Sequence, residues 1–228
     1  MANIIELKDI RKVYGTVVKT EVLHGINLSF EEGSFNSIIG QSGSGKSTLM
    51  NIMGTLDLPT SGEITIDGKR TDKMTGNELA RVRNETIGFI FQFHYLLPEF
   101  TAFENVVLPY RISGRTPSAE ITSRAEELME FVQIKAVRDN LATNMSGGQQ
   151  QRTAIARALI NNPRVILADE PTGNLDSDTS EKVFRLMRDL NSRYGTTFVI
   201  ITHDRRIAEE TDRIIEVRDG NIVNDIKK

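Results

Sequence analysis

The stretch that most constrains the fold of this chain runs from residue 40 to residue 48. It reads Gly40-Gln41-Ser42-Gly43-Ser44-Gly45-Lys46-Ser47-Thr48 and fits the phosphate-loop pattern G-x-x-x-x-G-K-[ST]. The apolar residues 35–39 before it predict a short buried strand, and residues 47–53 after it predict the start of a helix. Glycines at this junction let backbone N–H groups curl around an anion, and the helix N-terminus adds partial positive charge. The stretch therefore predicts a nucleoside triphosphate site.

Two side chains of this loop and two acids far along the chain supply the chemistry that such a site needs. Lys46 is placed to reach the β- and γ-phosphates, and the Ser47 hydroxyl is a ligand for Mg²⁺. Residues 165–168 predict another buried strand, which ends in Asp169 and Glu170. Asp169 would hold the metal through its water shell, and Glu170 could act as general base on the attacking water. Two solvated acids at a strand end are the alternative, and the upstream phosphate loop favours the metal role.

Composition limits the classes of protein that fit. The 228 residues are 39% hydrophobic and 26% charged, an ordinary globular balance that allows a sizeable core. A net charge of −3 argues against a dedicated nucleic-acid binder. The sequence has no cysteine, which excludes disulfides, thiolate zinc sites and cysteine nucleophiles. It also shows no signal peptide and no apolar stretch of about 18 residues, so any membrane role is expected to come through a partner.

Hydrophobic patterning predicts an α/β fold. Strands are expected at 4–13, 22–30, 35–39, 63–67, 87–91, 165–168, 197–201, 213–217 and 221–225. Residues 31–33 look like a hairpin into the strand before the phosphate loop. Buried strands that alternate with helices predict a mostly parallel sheet covered on both faces. The strands at the two chain ends, with their tight turns, suggest an added antiparallel layer.

Between two of the predicted strands the pattern becomes mostly helical. This region spans residues 92–162, with plausible helix N-caps at Thr101, Ser118 and Ser146. We therefore expect a single domain in two parts. Residues 1–91 and 163–228 form a nucleotide-binding core with its β layer, and residues 92–162 form a helical insertion.

A second helix start also looks suited to an anion. Ser146-Gly147-Gly148-Gln149 places a serine cap and two glycines at the N-terminus of a predicted helix, and QQR follows. An ordinary capped helix with a flexible start is the alternative. Because the phosphate loop already serves one nucleotide, a second such helix end needs its own explanation.

In this context, SGGQ followed by QQR is similar to the signature motif of ATP-binding cassette (ABC) ATPases. Tyr14 matches the aromatic residue that stacks on adenine in that family, and Gln92 matches the glutamine that senses Mg²⁺ and the attacking water. Asn174-Leu175-Asp176 matches the D-loop, and His203 the switch histidine near the γ-phosphate. The resemblance covers the whole chain. It implies a P-loop NTPase core, an antiparallel β subdomain and an inserted helical subdomain.

The resemblance also implies roles for individual residues. Glu170, His203 and Gln92 are expected to be catalytic. ATP is expected to contact Tyr14 and every residue of the loop from Gly40 to Thr48. Mg²⁺ is expected to be held by Ser47, Gln92 and, through water, Asp169.

In the family that this chain resembles, two cassettes dimerise head to tail, and the signature of one faces the phosphate loop of the other across ATP. The signature residues Ser146, Gly147, Gly148 and Gln149 would then act on a nucleotide bound by a second copy of this chain. Asp176 would cross the same interface. Binding of two ATP should close the dimer and hydrolysis should open it.

A finer resemblance lies in residues 91–106, which follow the pattern FQ-x-x-x-LLP-x-x-TA-x-ENV. The pattern is similar to the lipoprotein-releasing and macrolide-export branch of the family. It implies an integral membrane permease that docks near residues 92–106. The alternative is that the aromatic residues here only pack the helical region. Met145 departs from the leucine usual in the family, a change that keeps volume and apolarity.

The sequence thus predicts an ATP-hydrolysing subunit that drives a membrane permease in export, lipoprotein release or mechanotransmission. Its expected location is the cytoplasmic face of the membrane, where it would be held by the permease. A cell-division ATPase of the same branch remains an alternative. An ABC ATPase that acts on nucleic acid is disfavoured, because the sequence has no second cassette, no long coiled coil and no zinc cysteines.

Overall fold

The fold combines a six-stranded sheet, a four-stranded sheet and a group of helices, in a computed structural model that describes residues 2–228. The strands are β1 (Asn3–Tyr14), β2 (Thr20–Glu31), β3 (Phe35–Ile39), β4 (Ser61–Ile66), β5 (Lys69–Arg70), β6 (Ile87–Phe91), β7 (Val165–Asp169), β8 (Thr197–Ile201), β9 (Arg213–Arg218) and β10 (Asn221–Lys227). The helices are α1 (Lys46–Met53), α2 (Gly76–Glu85), α3 (Ala102–Ile112), α4 (Ala119–Phe131), α5 (Gly147–Leu159), α6 (Ser177–Tyr194) and α7 (Arg205–Glu209). The α/β class expected from the sequence is confirmed.

The larger sheet has the strand order β10-β9-β3-β8-β7-β6. All its neighbouring strands are parallel except the β9–β10 pair. Its central strands are apolar on both faces; every residue of β8, for example, is buried. Side chains of β7 alternate between two hydrophobic clusters, with Ile166 and Ala168 in one and Val165 and Leu167 in the other. The sheet is therefore covered on both faces, as its continuous apolar runs predict.

The two faces carry different helices. Buried residues of α1 pack in the same cluster as Val165 and Leu167, and those of α5 pack in the same cluster as Ile166 and Ala168. The phosphate-loop helix α1 and the signature helix α5 therefore lie on opposite faces of one sheet.

The smaller sheet has the order β2-β1-β4-β5 and is antiparallel. The predicted hairpin at residues 31–33 is wrong, because β2 pairs with β1 and β3 lies between β8 and β9. The reason is visible in the burial of the strands: β3 is buried on both faces, whereas β2 alternates. The terminal hairpin also departs from expectation. It extends the larger sheet through β9, which runs parallel to β3, instead of joining the antiparallel layer.

The helix N-caps predicted from the sequence are confirmed. Thr101, Ser118 and Ser146 each accept a hydrogen bond from the backbone of the first helical turn. Helix α6 begins directly after Asp176, which caps it by accepting the Thr179 N–H. Within residues 2–228, no helix is both long enough and apolar enough to cross a membrane.

Candidate nucleotide site

The candidate site lies at one edge of the larger sheet. β3, β8, β7 and β6 are parallel neighbours, so the loops that follow their carboxyl ends emerge side by side. These loops carry the phosphate loop, His203, Asp169 with Glu170, and Gln92. They surround a cavity of about 480 Å³ lined by Val22, Gly40, Ser42, Gly43, Gly45, Lys46, Ser47, Thr48, Gln92, Asp169, Glu170, Ile201 and His203. The fold thus brings together residues that lie up to 181 positions apart (203 − 22).

Two glycines let the phosphate loop pass close to residues of the neighbouring strands β2 and β9. Gly45, at the N-cap of α1, has φ 103°, and a Cβ there would lie 2.9 Å from the Leu23 side chain. Gly40 has φ 155°, and a Cβ there would lie 2.1 Å from the Val217 carbonyl oxygen. A side chain at either position would therefore displace the loop from the sheet.

The ammonium group of Lys46 lies over the loop. Its Nζ donates hydrogen bonds to the carbonyl oxygens of Gly40 and Gln41, each at 2.8 Å. Burial lowers the pKa of Lys46, and the negative charges of Glu170 and Asp169 oppose that shift. A bound phosphate could replace these two carbonyls as the partner of the charge without moving the helix that carries it.

The two acids at the end of β7 occupy different environments. Asp169 is partly buried, and burial followed by the charge of Glu170 raises its pKa, whereas Lys46 acts to lower it. Glu170 adopts φ 44°, the left-handed region, which is uncommon for a residue with a side chain. Its backbone N–H donates to the Ile201 carbonyl at 2.9 Å, and its Oε1 lies 2.8 Å from His203 Nδ1. The adjacent strand and the histidine therefore fix the position of Glu170.

Three oxygen-bearing side chains of the cavity are suited to Mg²⁺. Ser47, Gln92 and Asp169, which all line the cavity, offer a hydroxyl, an amide and a carboxylate. Hard oxygen donors of this kind fit Mg²⁺, which commonly takes one or two protein ligands and completes its shell with water and substrate phosphates. The donor set is thus compatible with a metal that enters together with a nucleotide.

Gln92 also connects the site to the D-loop stretch. Its Nε2 donates to Asn174 Oδ1 at 3.1 Å, and Asn174 Nδ2 donates to the Gln92 carbonyl at 3.1 Å. Two residues further on, Asp176 caps α6 by accepting the Thr179 N–H at 3.0 Å. The loop after β6 and the start of α6 are therefore joined at the cavity.

Tyr14 lies outside the lining of the cavity, at the end of β1, where its side chain is partly exposed (41%). Its hydroxyl donates to Asp57 Oδ2 at 2.7 Å. Burial and then Asp57 raise the pKa of Tyr14, and the side chain of Thr48, a lining residue of the cavity, acts in the opposite direction. The tyrosine is thus attached to the segment that carries the phosphate loop.

The signature residues lie apart from this cavity. Ser146 and Gln149 form a reciprocal capping box at the start of α5, in which Gln149 Oε1 accepts the Ser146 N–H at 2.8 Å. Ser146 and Gly147 are exposed. None of the described residues that line the cavity comes from the signature stretch. Within one chain, the structure does not bring the signature to the phosphate loop.

The aromatic stretch after Gln92 is divided between core and surface. Phe91 and Leu96 pack against the hydrophobic clusters, whereas Phe93 and Tyr95 are 63% and 64% exposed. The two exposed rings border a shallow depression of about 360 Å³ that also includes Gln150 of the signature helix. Packing of the helical region therefore explains only part of this stretch.

Arg157 of α5 was not predicted from the sequence, and it contacts the backbone of the turn that carries the two exposed rings. Its guanidinium donates to the carbonyl oxygens of His94 and Tyr95, both at 2.6 Å. His94 and Tyr95 have φ values of 24° and 48°, so the arginine stabilises a strained turn. Burial lowers the pKa of Arg157 to about 10. The available signal was an arginine inside the otherwise apolar run AIARAL.

Comparisons with known proteins agree on one family. A family model described as ABC transporter matches residues 23–173. Lipoprotein-releasing system ATP-binding protein LolD 1 of Rhodopseudomonas palustris (strain ATCC BAA-98 / CGA009) is 51% identical over 224 residues, covering 97% of this chain and 99% of the relative. The LolD protein of Bacteroides fragilis (strain YCH46) is 50% identical, covering 96% of this chain and all of the relative (100%).

Solved structures give the same result. The ATP-binding cassette MJ0796, as a dimer in a post-hydrolysis state bound to ADP and Pi, matches with a TM-score of 0.89 and 43% identity, covering 98% of both chains. A second dimeric structure of MJ0796 matches with a TM-score of 0.89 and 44% identity over the same shares. The chain therefore belongs to the ABC transporter family, as an ATP-binding subunit that resembles the lipoprotein-releasing branch.

Proposed function

We propose that this chain binds and hydrolyses ATP with Mg²⁺ as one half of a head-to-tail dimer, and that the dimer drives an integral membrane permease. The observation that carries the proposal is the meeting of four strand ends at one cavity, which gathers a phosphate loop, a metal-compatible donor set and the Glu170–His203 pair. The core segments 1–91 and 163–228 would hold the nucleotide. The helical segment 92–162 would carry the signature and the permease surface.

In this proposal the phosphate groups are held mainly by the loop and Lys46. Backbone N–H groups at the start of α1 and the ammonium group neutralise the charge that develops on the transferred phosphoryl group. Ser47, Gln92 and Asp169 would hold Mg²⁺, and its positive charge would offset the negative charge of the phosphates.

Glu170 would accept a proton from the attacking water, and His203 would keep the carboxylate in position through its 2.8 Å contact. ADP and phosphate leave after hydrolysis. Glu170 follows β7, and His203 follows the neighbouring strand β8.

The dimer follows from the separation of the two anion-suited helix ends. α1 and α5 lie on opposite faces of the sheet, and the exposed Ser146 and Gly147 do not reach the cavity of their own chain. A second copy in reversed orientation would bring the signature of one chain to the phosphate loop of the other. The dimeric cassettes to which this chain is similar support that arrangement.

Replacing Ser146 by Ala tests the composite site. The variant is made in a Glu170→Gln background, in which hydrolysis is blocked. There, Ser146→Ala should shift ATP-dependent dimerisation to at least about fivefold higher protein concentration. The reason is that each signature would lose one hydrogen bond to the charged nucleotide bound by the other chain. The ATP affinity of the monomer should stay the same. Light scattering and calorimetry of dilute protein measure the two quantities.

The matched control is Ser123→Ala in α4, a serine outside the signature, which should change neither quantity. If Ser146→Ala lowered the ATP affinity of the monomer, the signature would contact the nucleotide of its own chain. Unchanged dimerisation would remove Ser146 from the interface. Either result would contradict the composite site.

The permease surface is proposed at residues 92–106, where Phe93 and Tyr95 are exposed on a turn stabilised by Arg157. Exposed aromatic side chains over a shallow depression are suited to an inserted helix of a partner. The LolD relatives are named as parts of a lipoprotein-releasing system, and we propose the same kind of membrane complex here. The chain would then lie on the cytoplasmic face of the membrane.

Affinity purification of the tagged chain from native membranes tests this surface. We expect an integral membrane protein to co-purify, and Phe93→Ala with Tyr95→Ala to reduce its recovery at least about tenfold, because exposed aromatic anchors dominate such interfaces. Ile112→Ala, which removes another exposed apolar side chain (70% exposed), is the control and should retain the partner. Recovery of ribosomes or DNA instead of a membrane protein would overturn the proposed function.

A further inference from the structure

Asp57 lies in the loop between α1 and β4 and binds two residues of β1. Its Oδ1 accepts a hydrogen bond from Lys12 Nζ at 2.6 Å, and its Oδ2 accepts one from the Tyr14 hydroxyl at 2.7 Å. Oδ1 also accepts the N–H of Leu58 at 2.8 Å. Both oxygens of one carboxylate thus connect the end of β1 to the loop that follows the phosphate-loop helix.

The strand geometry explains why both side chains reach the same acid. Lys12 and Tyr14 are two residues apart on β1, so their side chains point to the same face of the strand. Lys12 Nζ also lies 4.8 Å from the centre of the Tyr14 ring and donates to the Leu58 carbonyl at 2.7 Å. The ring therefore contacts a cation, and its hydroxyl binds an anion.

The carboxylate remains ionised in this setting. Burial acts to raise the pKa of Asp57, but hydrogen bonds from Lys12 and Tyr14 outweigh it and hold that pKa below its usual value. The Lys12 side chain is only 12% exposed, so its contact with Asp57 is partly shielded from water. The Lys12–Asp57 ion pair is therefore partly buried.

Without these contacts Tyr14 would have little to hold it. It is the last residue of β1, and the following residues 15–19 form a loop in which Val17 is 94% exposed. An exposed side chain at a strand end samples several rotamers, and fixing it on binding reduces affinity. A hydroxyl anchored before the nucleotide arrives removes that loss.

We propose that Asp57 is a positioning residue that orients the Tyr14 ring for the base of ATP. The proposal rests on the proposed function and on the adenine-stacking role that the family resemblance implies for Tyr14. One continuous segment, residues 40–57, would then bind the phosphates at its start and set the orientation of the base-stacking ring at its end. Asp57 itself makes no contact with the nucleotide.

The experiment compares ATP with tripolyphosphate, a ligand that has the phosphates and lacks the base. Asp57→Asn should raise the KM for ATP about 3- to 10-fold with kcat unchanged, as expected when one side chain loses its preorganisation. Inhibition of the ATPase by magnesium tripolyphosphate should keep the same inhibition constant. Tyr14→Phe, which keeps the ring and removes the hydroxyl, should reproduce the change in KM.

A double variant tests whether the two residues act together. Asp57→Asn combined with Tyr14→Phe should raise the KM no further than the larger single change, because Asp57 is proposed to act on the ring only through the Tyr14 hydroxyl. Asp189→Asn, an exposed acid on α6, is the control and should leave the KM unchanged. Additive effects of Asp57→Asn and Tyr14→Phe would overturn the proposal.

Other results separate this proposal from the proposed function. If Tyr14→Ala leaves the KM for ATP unchanged, the base-stacking role itself is wrong. If Tyr14→Ala raises the KM but Asp57→Asn and Tyr14→Phe do not, stacking stands and positioning by Asp57 is wrong. If Asp57→Asn weakens the binding of tripolyphosphate as much as the binding of ATP, Asp57 acts through the phosphate loop. The positioning role is then also wrong.

Discussion

Glu170→Gln is expected to reduce ATP turnover by about 10²- to 10⁴-fold while ATP binding persists, because a glutamine cannot accept the proton of the attacking water. The change keeps the size of the side chain and an oxygen that can still contact His203, which lies 2.8 Å from Glu170. Since the phosphate contacts come from the loop and Lys46, they should stay intact. Steady-state release of phosphate and calorimetric binding of ATP measure the two effects separately.

The same variant should accumulate as a dimer in ATP with Mg²⁺ and return to a monomer in ADP. Hydrolysis is the step that opens the proposed dimer, so blocking it leaves the closed state populated. Glu130→Gln, which removes the charge of an exposed acid on α4, is the matched control and should turn over ATP normally. A Glu170→Gln protein that hydrolyses ATP within a few-fold of the unmodified chain would exclude Glu170 as the base.

Lys46→Ala is expected to weaken ATP binding about 10- to 100-fold, because a hydrogen-bonded charge on the phosphates is lost. In the structure the Lys46 ammonium is partly buried, with two carbonyl oxygens as its partners, Gly40 and Gln41. Removing it leaves the loop backbone in place and removes the charge that phosphate needs. Titration calorimetry with ATP and Mg²⁺ gives the change in Kd directly.

The control for this change is Lys135→Ala, which removes an exposed lysine outside the site. Thermal melting without nucleotide should give closely similar Tm values for both variants, since Gly40 lines the cavity and Gln41 is exposed. An unchanged Kd for ATP in the Lys46→Ala protein would show that the phosphates bind elsewhere. That outcome would contradict the nucleotide site itself.

Much of the fold was predictable because its signals are local. The runs FNSII, VILAD and TFVII are short, apolar and bounded by polar turns, and each is a buried strand. The caps at Thr101, Ser118 and Ser146 depend only on the residues that follow them. What the pattern could not give was the sheet to which a strand belongs. That is why the 31–33 turn and the terminal hairpin were placed wrongly.

In the candidate site, too, some features were predictable from the sequence and others were not. The order of its motifs along the chain predicted which residues meet, and the parallel strand ends bring together the loop, Asp169, Glu170, Gln92 and His203. No local signal indicated which distant segments contact each other. Lys12 and Tyr14 reach Asp57 across more than 40 positions, and Arg157 reaches His94 across 63 (157 − 94). Such pairs depend on tertiary packing, which periodicity does not encode.

The placement of α1 and α5 on opposite faces of the sheet has a consequence for how ATP is used in the cell. If no chain can complete its own site, hydrolysis by free subunits depends on encounters between two copies, and turnover per chain rises with protein concentration. A surplus of unattached subunits would then waste little ATP. A permease that holds two copies side by side would raise their effective concentration and so restrict consumption to assembled complexes.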